Sequence, residues 1–300
     1  MTHLTLNQLA IQEKTRREIL HKSELIPPLP DLVVRLLAML NKQDTEPHHL
    51  EDVMQNDQVL VARMLAMVNS PFYGLTRSIS TIREAVMVLG FRGVRSLVLA
   101  SSAAKFMQRD YACYGHEAKG LWLHAASVAA GAKSLARSCG LEPDNSEQLF
   151  VGGLLHDIGK LLLAPYLTEN HRAVAPGEDV VDLERDLLGL DHTEAGALVT
   201  AKWNLSKEIQ EVIKAHHDSP TGAEAPNPGA SPKSLAIVRL ADAIAHERGI
   251  GYLPDRSPKS HVCQADLATL SLSEAAWTSL RDEVAAHMDE GVAAIKSLGN

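Results

Sequence analysis

The sequence predicts an all-α protein made of two packed helical bundles. Apolar residues recur at spacings of three and four in segment after segment, as on the buried face of a helix. No run of residues alternates with the period of two that a half-buried strand requires. Residues 109–117, which are polar and include Gly115, interrupt the helical pattern and mark the junction between the two bundles.

The N-terminal half has the clearest helix boundaries. Residues 1–20 predict an amphipathic helix that lacks the apolar core of a signal peptide. A later helix is expected to begin with Asn56 or Asp57 as its N-cap and to end before Pro71. Gly90 is a predicted C-cap of the next helix. The apolar positions of the helices in this half are Leu32, Leu36, Leu37, Leu40, Val59, Leu60, Met64, Met67, Val68, Ile82, Val86, Leu89, Val94, Leu97, Val98 and Phe106.

Two loops and a last helix complete the predicted organisation. Residues 218–233 contain four prolines and are expected to form a mobile surface loop, and residues 251–262 form another loop. Residues 273–298 predict a C-terminal amphipathic helix. The resulting division is an N-terminal helix, a first bundle, a second bundle and a C-terminal loop with its helix: 1–20, 21–115, 116–250 and 251–300.

Composition excludes several classes of function. The 300 residues carry a formal net charge of -8, which argues against a general nucleic-acid binder. No stretch approaches the roughly 20 uncharged apolar residues that span a bilayer, so no membrane association is expected. Three cysteines without a CxxC pair exclude a disulfide framework and a thiolate zinc site, and they favour a cytoplasmic location.

Histidine is unusually frequent, with 14 residues, and one histidine lies in a distinctive motif. The segment LLHDIGK, residues 154–160, follows an apolar run and is expected to lie on a buried helix. His156 and Asp157 would then point about 100° apart, and a metal ion beside the helix could bring both to one point. Alone, the dipeptide is equally compatible with an aspartate that caps a turn and a surface histidine.

Further histidines and a second aspartate lie on apolar helices. His124 is on one such helix, His192 begins another, and His216 and His217 end a third. Asp242 lies between apolar residues, where a buried charge needs a cation or several hydrogen bonds. Histidine and carboxylate ligands without thiolate suit Fe, Mn, Ni, Zn or Co. Asp157 could bridge two such ions, a geometry that activates water against phosphoesters.

The order of these residues, together with Lys160, resembles the HD superfamily of metal-dependent phosphohydrolases, in particular the HD-GYP phosphodiesterases. The N-terminal half is similar to a narrower group. The segments at 26–30 (IPPLP), 68–74 (VNSPFYG) and 79–85 (ISTIREA) resemble the HDOD domain, an HD-related output module of bacterial signalling proteins. The resemblance extends over roughly residues 20–250 and makes the second bundle HD-like.

The resemblance implies a specific set of ligands. One divalent metal would be held by His124, His156, Asp157 and Asp242. Asp157 would also hold a second ion, with three histidines: His192, His216 and His217. Lys160 would lie near a scissile phosphate and, with Asp157, form the catalytic pair.

Two departures from the HD-GYP enzymes weaken an implied hydrolysis of cyclic dinucleotides. The residues after His217 contain no Gly-Tyr-Pro loop, and Gly120 stands where some HD-GYP enzymes have a glutamate.

Three functions remain open at this point. The first is an HDOD-type signalling module with a His/Asp dinuclear metal site, because HDOD domains are generally regarded as non-catalytic relatives. The second is an active metal-dependent phosphohydrolase acting on a nucleotide or phosphodiester, and the third is a metal-free interaction scaffold. The expected partners are signalling proteins in trans, a nucleotide or phosphate ligand and a second copy of the chain in a homodimer.

The other histidines are expected at the surface. His48 and His49 lie beside a proline in a polar turn. His116 is also expected at the surface, although it falls in the junction, eight residues before His124. Asp191 and Asp218 are either partners that orient the neighbouring imidazoles or simple caps and loop charges. The remaining predicted surface histidines are His3, His21, His171, His246, His261 and His287.

Overall fold

The computed structural model describes residues 6–23, 29–40, 42, 45–55, 57–73, 75, 77–218, 230–258 and 262–298. Throughout these ranges the fold is helical, which confirms the all-α prediction. The only sheet-type pairing within them is a single antiparallel bridge between His116 and Tyr252. The α-helices are α1 (Leu6–Ser23), α2 (Asp31–Leu40), α3 (Pro47–Met54), α4 (Gln58–Val68), α5 (Ile82–Met107), α6 (Gly120–Ser138), α7 (Pro143–Leu155), α8 (Lys160–Glu169), α9 (Val180–Leu188), α10 (His192–Lys202), α11 (Lys207–Ala215), α12 (Pro232–Glu247), α13 (Gln264–Thr269) and α14 (Glu274–Leu298).

The first bundle consists of α2 to α5 and a short 3₁₀ turn, Pro71–Tyr73. Its helix starts follow from local sequence. Asp57 caps α4 by accepting a hydrogen bond from the Leu60 amide at 2.9 Å, as predicted, whereas the alternative cap Asn56 lies outside the described residues. Thr81 and Glu84 form a capping box at the start of α5.

Gly90 interrupts α5 without ending it. Its φ of 69° and ψ of 175° are not helical, so the predicted break in the backbone is present. Helical turns resume directly after it, and α5 continues to Met107. By length and composition α5 could cross a membrane, but 61% of its most apolar window is buried inside the protein, as in a core helix.

The second bundle surrounds α6, which is buried along almost its whole length. It packs against α7, α12 and α14. Gly153 on α7 allows the closest approach, since a Cβ there would lie 2.9 Å from the Val128 carbonyl oxygen. The predicted C-terminal helix is confirmed as α14, which buries Trp277, Val284 and Met288.

One apolar cluster connects the two bundles. It extends from Ile19 on α1 through the helices of the first bundle to Ile213 on α11. A second cluster lies between α6, α12 and α14. The division at residue 115 stays a prediction, and the proline-rich segment 218–233 lies largely outside the described residues. All three cysteines are free.

The HD motif does not lie on a helix, contrary to the expectation. α7 ends at Leu155 and α8 begins at Lys160, so His156 and Asp157 occupy the turn between them. Gly159 in this turn lies against α10, where a Cβ would be 1.9 Å from the His192 carbonyl oxygen. This backbone contact brings the start of α10 directly beside the turn.

Candidate metal centre

Seven predicted side chains converge between five elements. α6 contributes His124, the α7–α8 turn contributes His156 and Asp157, and the start of α10 contributes His192. The residues that directly follow α11, together with one residue of α12, complete the set: His216, His217 and Asp242. All except His217 are buried, at 8% exposure or less. The structure therefore brings every predicted ligand to one place.

Asp157 lies at the centre of this arrangement, and its two carboxylate oxygens face different histidines. Oδ2 lies 3.4 Å from His156 Nε2 and 3.9 Å from His124 Nε2. Oδ1 lies 3.3 Å from His192 Nε2 and 4.0 Å from His216 Nε2. One carboxylate is thus shared by two sets of imidazoles.

Asp242 completes the first set. Its Oδ1 lies 3.0 Å from His124 Nε2 and 3.6 Å from His156 Nε2. Ligands at about 2.0–2.2 Å from one ion lie roughly 3 to 4 Å from each other. His124 and His156 therefore have, from both carboxylates, the spacing that one divalent cation requires.

The second set consists of three histidines and Asp157. His217 Nε2 lies 3.1 Å from His192 Nε2, and the ligand nitrogens of His192, His216 and His217 lie within 4.8 Å of one another. His217 is the exposed member of the set. This end of the centre is therefore the one that faces solvent.

Hydrogen bonds at Nδ1 fix the orientation of three imidazoles. His156 Nδ1 donates to the Gly153 carbonyl and His216 Nδ1 to the Ile213 carbonyl, each at 2.7 Å. His192 Nδ1 donates to Glu184 at 2.6 Å. A neutral imidazole that donates from Nδ1 has its lone pair on Nε2. All three Nε2 atoms face the centre, and each offers its lone pair whenever its ring is neutral.

Glu184 on α9 is a residue of the candidate site that the sequence does not identify. It is fully buried, and it accepts hydrogen bonds from His192 Nδ1, the His192 amide and the Tyr114 hydroxyl, at 2.6, 2.8 and 2.6 Å. A signal was present, because Glu184 continues the apolar spacing between Val181 and Leu188 on α9.

The two aspartates considered as orienting partners act otherwise. Asp191 caps α10 by accepting from the Thr193 and Glu194 amides, and it pairs with Arg185 at 2.6 Å. The Asp218 side chain is exposed. Asp191 is therefore a helix cap and Asp218 an exposed loop charge, as in the second of the two interpretations given for them.

Lys160 balances the charge of the shared carboxylate. Its Nζ lies 2.6 Å from Asp157 Oδ2 and is buried with it. Burial would raise the pKa of Asp157, but Lys160 and His156 outweigh it and hold that pKa well below the usual range. The carboxylate is therefore ionised and ready to act as a ligand.

Two histidines predicted at the surface lie at the centre instead. His246 Nε2 is 3.2 Å from Asp242 Oδ1, and its side chain is 9% exposed. His116 is 1% exposed, stacks on Tyr252 and contacts the Gly251 carbonyl through Nδ1. His246 follows Asp242 by four residues, so the two side chains share one face of α12. This spacing can be read from the sequence.

Of the other surface predictions, those for His48, His49, His21 and His171 are confirmed. His287 is half-buried, and His3 and His261 lie outside the described residues.

Gly120 has no room for a side chain. A Cβ at this position would lie 2.0 Å from the Gly251 carbonyl oxygen. The glutamate of some HD-GYP enzymes therefore could not stand here unless the segment around Gly251 moved. This close contact also brings Tyr252 beside the centre.

The donor atoms fit a divalent cation. His124 Nε2, His216 Nε2 and Asp242 Oδ1 are buried and have no hydrogen-bond partner, although each has another donor atom of the centre nearby. Burial lowers the pKa of His124 to about 4 and that of His216 well below 6.5, so both are neutral at pH 7. Neutral imidazoles and ionised carboxylates are the protonation states that bind metal.

Comparison with known proteins places the chain in a family. A crystal structure of a candidate phosphohydrolase from Shewanella amazonensis SB2B is 26% identical, with a TM-score of 0.68 over 93% of this chain and 97% of that one. An HDOD domain protein of unknown function from Geobacter sulfurreducens is 25% identical, with a TM-score of 0.67 over 94% of this chain and 99% of that one.

Among curated proteins, ribonuclease Y of Fervidobacterium nodosum is 26% identical over 227 residues, which are 75% of this chain and 36% of that protein. The chain spans less than half the length of the curated relatives that it matches. The HDOD domain model matches residues 26–219. The chain belongs to the HDOD domain family.

Proposed function

We propose that this chain is a regulatory HDOD protein of signal transduction whose His/Asp centre holds two divalent cations. The position of Asp157 carries the proposal, because its two oxygens face two separate sets of imidazoles. A carboxylate in that position can bridge two ions. Imidazole and carboxylate donors favour Fe, Mn, Ni or Zn over Mg or Ca.

Each set of residues would hold one ion. His124, His156 and Asp242 would bind the first with Asp157, and the other three histidines would bind the second. When bound, such a pair of ions supplies positive charge and an activated water. Lys160 keeps Asp157 ionised, and Glu184 fixes the ring of His192. As the exposed member, His217 defines the side from which a ligand with a phosphate group would approach.

The test is the metal content of the purified chain. The protein is prepared without a polyhistidine tag or chelator, and bound Fe, Mn, Ni and Zn are measured by mass spectrometry. We expect about two ions per chain, and Asp157→Asn should lose both because it removes the shared ligand. His48→Ala, a change at an exposed histidine on α3, is the matched control. Metal-free wild-type protein, or an Asp157→Asn variant with full occupancy, would refute the proposal.

A second candidate function is metal-dependent hydrolysis of a phosphoester. Lys160 favours it, since a buried ammonium beside the bridging carboxylate can contact a phosphate oxygen. The similarity to ribonuclease Y and to a cyclic-di-AMP phosphodiesterase of Listeria monocytogenes supports the same chemistry. Turnover of bis-p-nitrophenyl phosphate, nucleotides and a short RNA by metal-loaded protein tests it. If wild type is no more active than Asp157→Asn, hydrolysis by this centre is refuted and the regulatory role stands.

The partners in this proposal are signalling proteins that act in trans, a nucleotide or phosphate ligand at the centre and a second copy of the chain. Sedimentation of the metal-loaded and metal-stripped protein tests the last of these. A regulatory metal centre should change the sedimentation or the partner binding of the chain when the ions are removed.

A further inference from the structure

His246 lies at the Asp242 end of the centre, outside the seven residues that the HD resemblance implies. We propose that His246 is an additional ligand of the ion bound by His124 and Asp242. The inference rests on the proposed function, since it concerns the same metal centre. It adds one protein donor on the side of the centre formed by His124 and Asp242.

The geometry of three donor atoms carries the proposal. Asp242 Oδ1 lies 3.0 Å from His124 Nε2 and 3.2 Å from His246 Nε2. Ligand atoms of the three residues lie within 4.8 Å of one another, and the ring centroids of the two histidines are 4.7 Å apart. These separations match those between neighbouring ligands of one first-row divalent cation at about 2.1 Å.

A hydrogen bond from His246 that merely orients Asp242 would explain the proximity less well. Asp242 Oδ1 is buried and has no hydrogen-bond partner, even though both imidazole nitrogens lie within 3.2 Å of it. The carboxylate oxygen and the two ring nitrogens lie within 4.8 Å of one another, around a common point. A cation at this point would satisfy the carboxylate oxygen and both nitrogens.

Neighbouring rings hold His246 in place. The Tyr252 ring centroid lies 5.3 Å from that of His246 and 5.4 Å from that of His124. The His116 ring stacks on the Tyr252 ring, with the two centroids 4.3 Å apart. His246 also follows Asp242 by four residues on α12, so one helix face presents both donors. The position is therefore fixed without the metal, as expected of a preorganised ligand.

The extra ligand makes the two ions unequal. The ion at His124, Asp242 and His246 would be held by residues that are all mostly buried. The second ion would have one exposed ligand, His217. The first ion should therefore bind more tightly and exchange more slowly with chelator than the second.

The experiment compares wild type, His246→Ala, His246→Gln and the surface control His48→Ala. Each protein is stripped, refilled with Co²⁺, and followed by visible absorption and by competition with a chromophoric chelator. Wild type should bind one Co²⁺ ion tightly and a second Co²⁺ ion more weakly. Both His246 variants should weaken the tight ion by more than the roughly 10- to 100-fold that loss of a residue that only orients a ligand typically costs, and should change its Co²⁺ spectrum. His48→Ala should match wild type.

Three results would overturn the inference. The first is wild-type affinity and spectrum in His246→Ala. The second is loss in His246→Ala with full retention in His246→Gln, because glutamine can still donate a hydrogen bond to Asp242. The third is wild-type protein without metal, which refutes the proposed function as well. Circular dichroism of the stripped proteins shows whether each variant is folded, and the glutamine variant keeps the volume of the side chain.

Discussion

Glu184 and His192 form a buried carboxylate–imidazole pair that joins α9 to the candidate metal centre. The carboxylate accepts from both the ring Nδ1 and the backbone amide of His192. Its second oxygen accepts from the Tyr114 hydroxyl at 2.6 Å. A ligand imidazole is commonly oriented by a carboxylate in this way, and its basicity rises as a result.

Glu184→Gln should therefore weaken metal binding by about 10- to 100-fold. The amide keeps the shape of the side chain but loses the charge that favours Nδ1–H. Asp191→Asn is the matched control, because Asp191 caps α10 and does not contact the ring. It should change the free energy of unfolding by up to about 1 kcal/mol and leave metal affinity unchanged. Equal affinities in the two variants would show that Glu184 does not orient the ligand.

Lys160→Met should destabilise the metal-free chain strongly. The change leaves the buried Asp157 carboxylate without its partner, which typically costs about 3–5 kcal/mol. Metal loading should recover much of this loss, because the ions would supply the missing positive charge. Urea unfolding of stripped and loaded protein measures both values. A loss that is the same with and without metal would contradict the placement of the cations at Asp157.

Metal affinity should rise with pH between about 6 and 8. Burial lowers the pKa of His156, but Asp157 and Asp242 outweigh it and raise that pKa above 6.5. The charged ring stabilises the metal-free fold below about pH 6.5, and this contribution is lost as pH rises through the folded pKa. A cation must displace the proton, so binding below that pKa should release about one proton from His156.

Calorimetry in two buffers of different ionisation heat measures this release. His124, with its pKa near 4, should not contribute in this range. An affinity that does not change from pH 6 to pH 8 would refute the assignment of His156 as a ligand.

Tyr73→Phe should leave stability almost unchanged or raise it slightly. The Tyr73 hydroxyl is buried without a hydrogen-bond partner, so removing it removes a desolvated polar group. The ring itself packs 5.5 Å from Phe150, and Lys133 Nζ lies 4.4 Å from its centroid. Tyr73→Ala should therefore cost about 3–5 kcal/mol. Thermal unfolding of both variants distinguishes the role of the ring from that of the hydroxyl.

Sequence reasoning identified the helices and the seven convergent side chains because both depend on local patterns. Apolar spacing gave α4 and α14 nearly to the residue. An apolar run before the HD motif predicts a helix there, whereas the structure has a turn between α7 and α8. Gly159 in this turn packs against the backbone of α10, and such a contact between distant segments has no local signature. Glu184 and His246 were missed for a related reason. Their spacing on α9 and α12 is visible in the sequence, but tertiary packing is what brings Glu184 to His192 and buries His246 beside the centre.

The apolar cluster from Ile19 to Ile213 has a consequence for how the chain transmits a change. Since the two bundles share this cluster, melting of either one should remove part of the packing of the other. The chain should therefore unfold in one cooperative transition, and occupancy of the ions in the second bundle should shift the melting of the first by mass action. Coupling of this kind needs no moving lid. A partner bound to the first bundle would respond to metal binding in the second, because the two bundles share part of their packing.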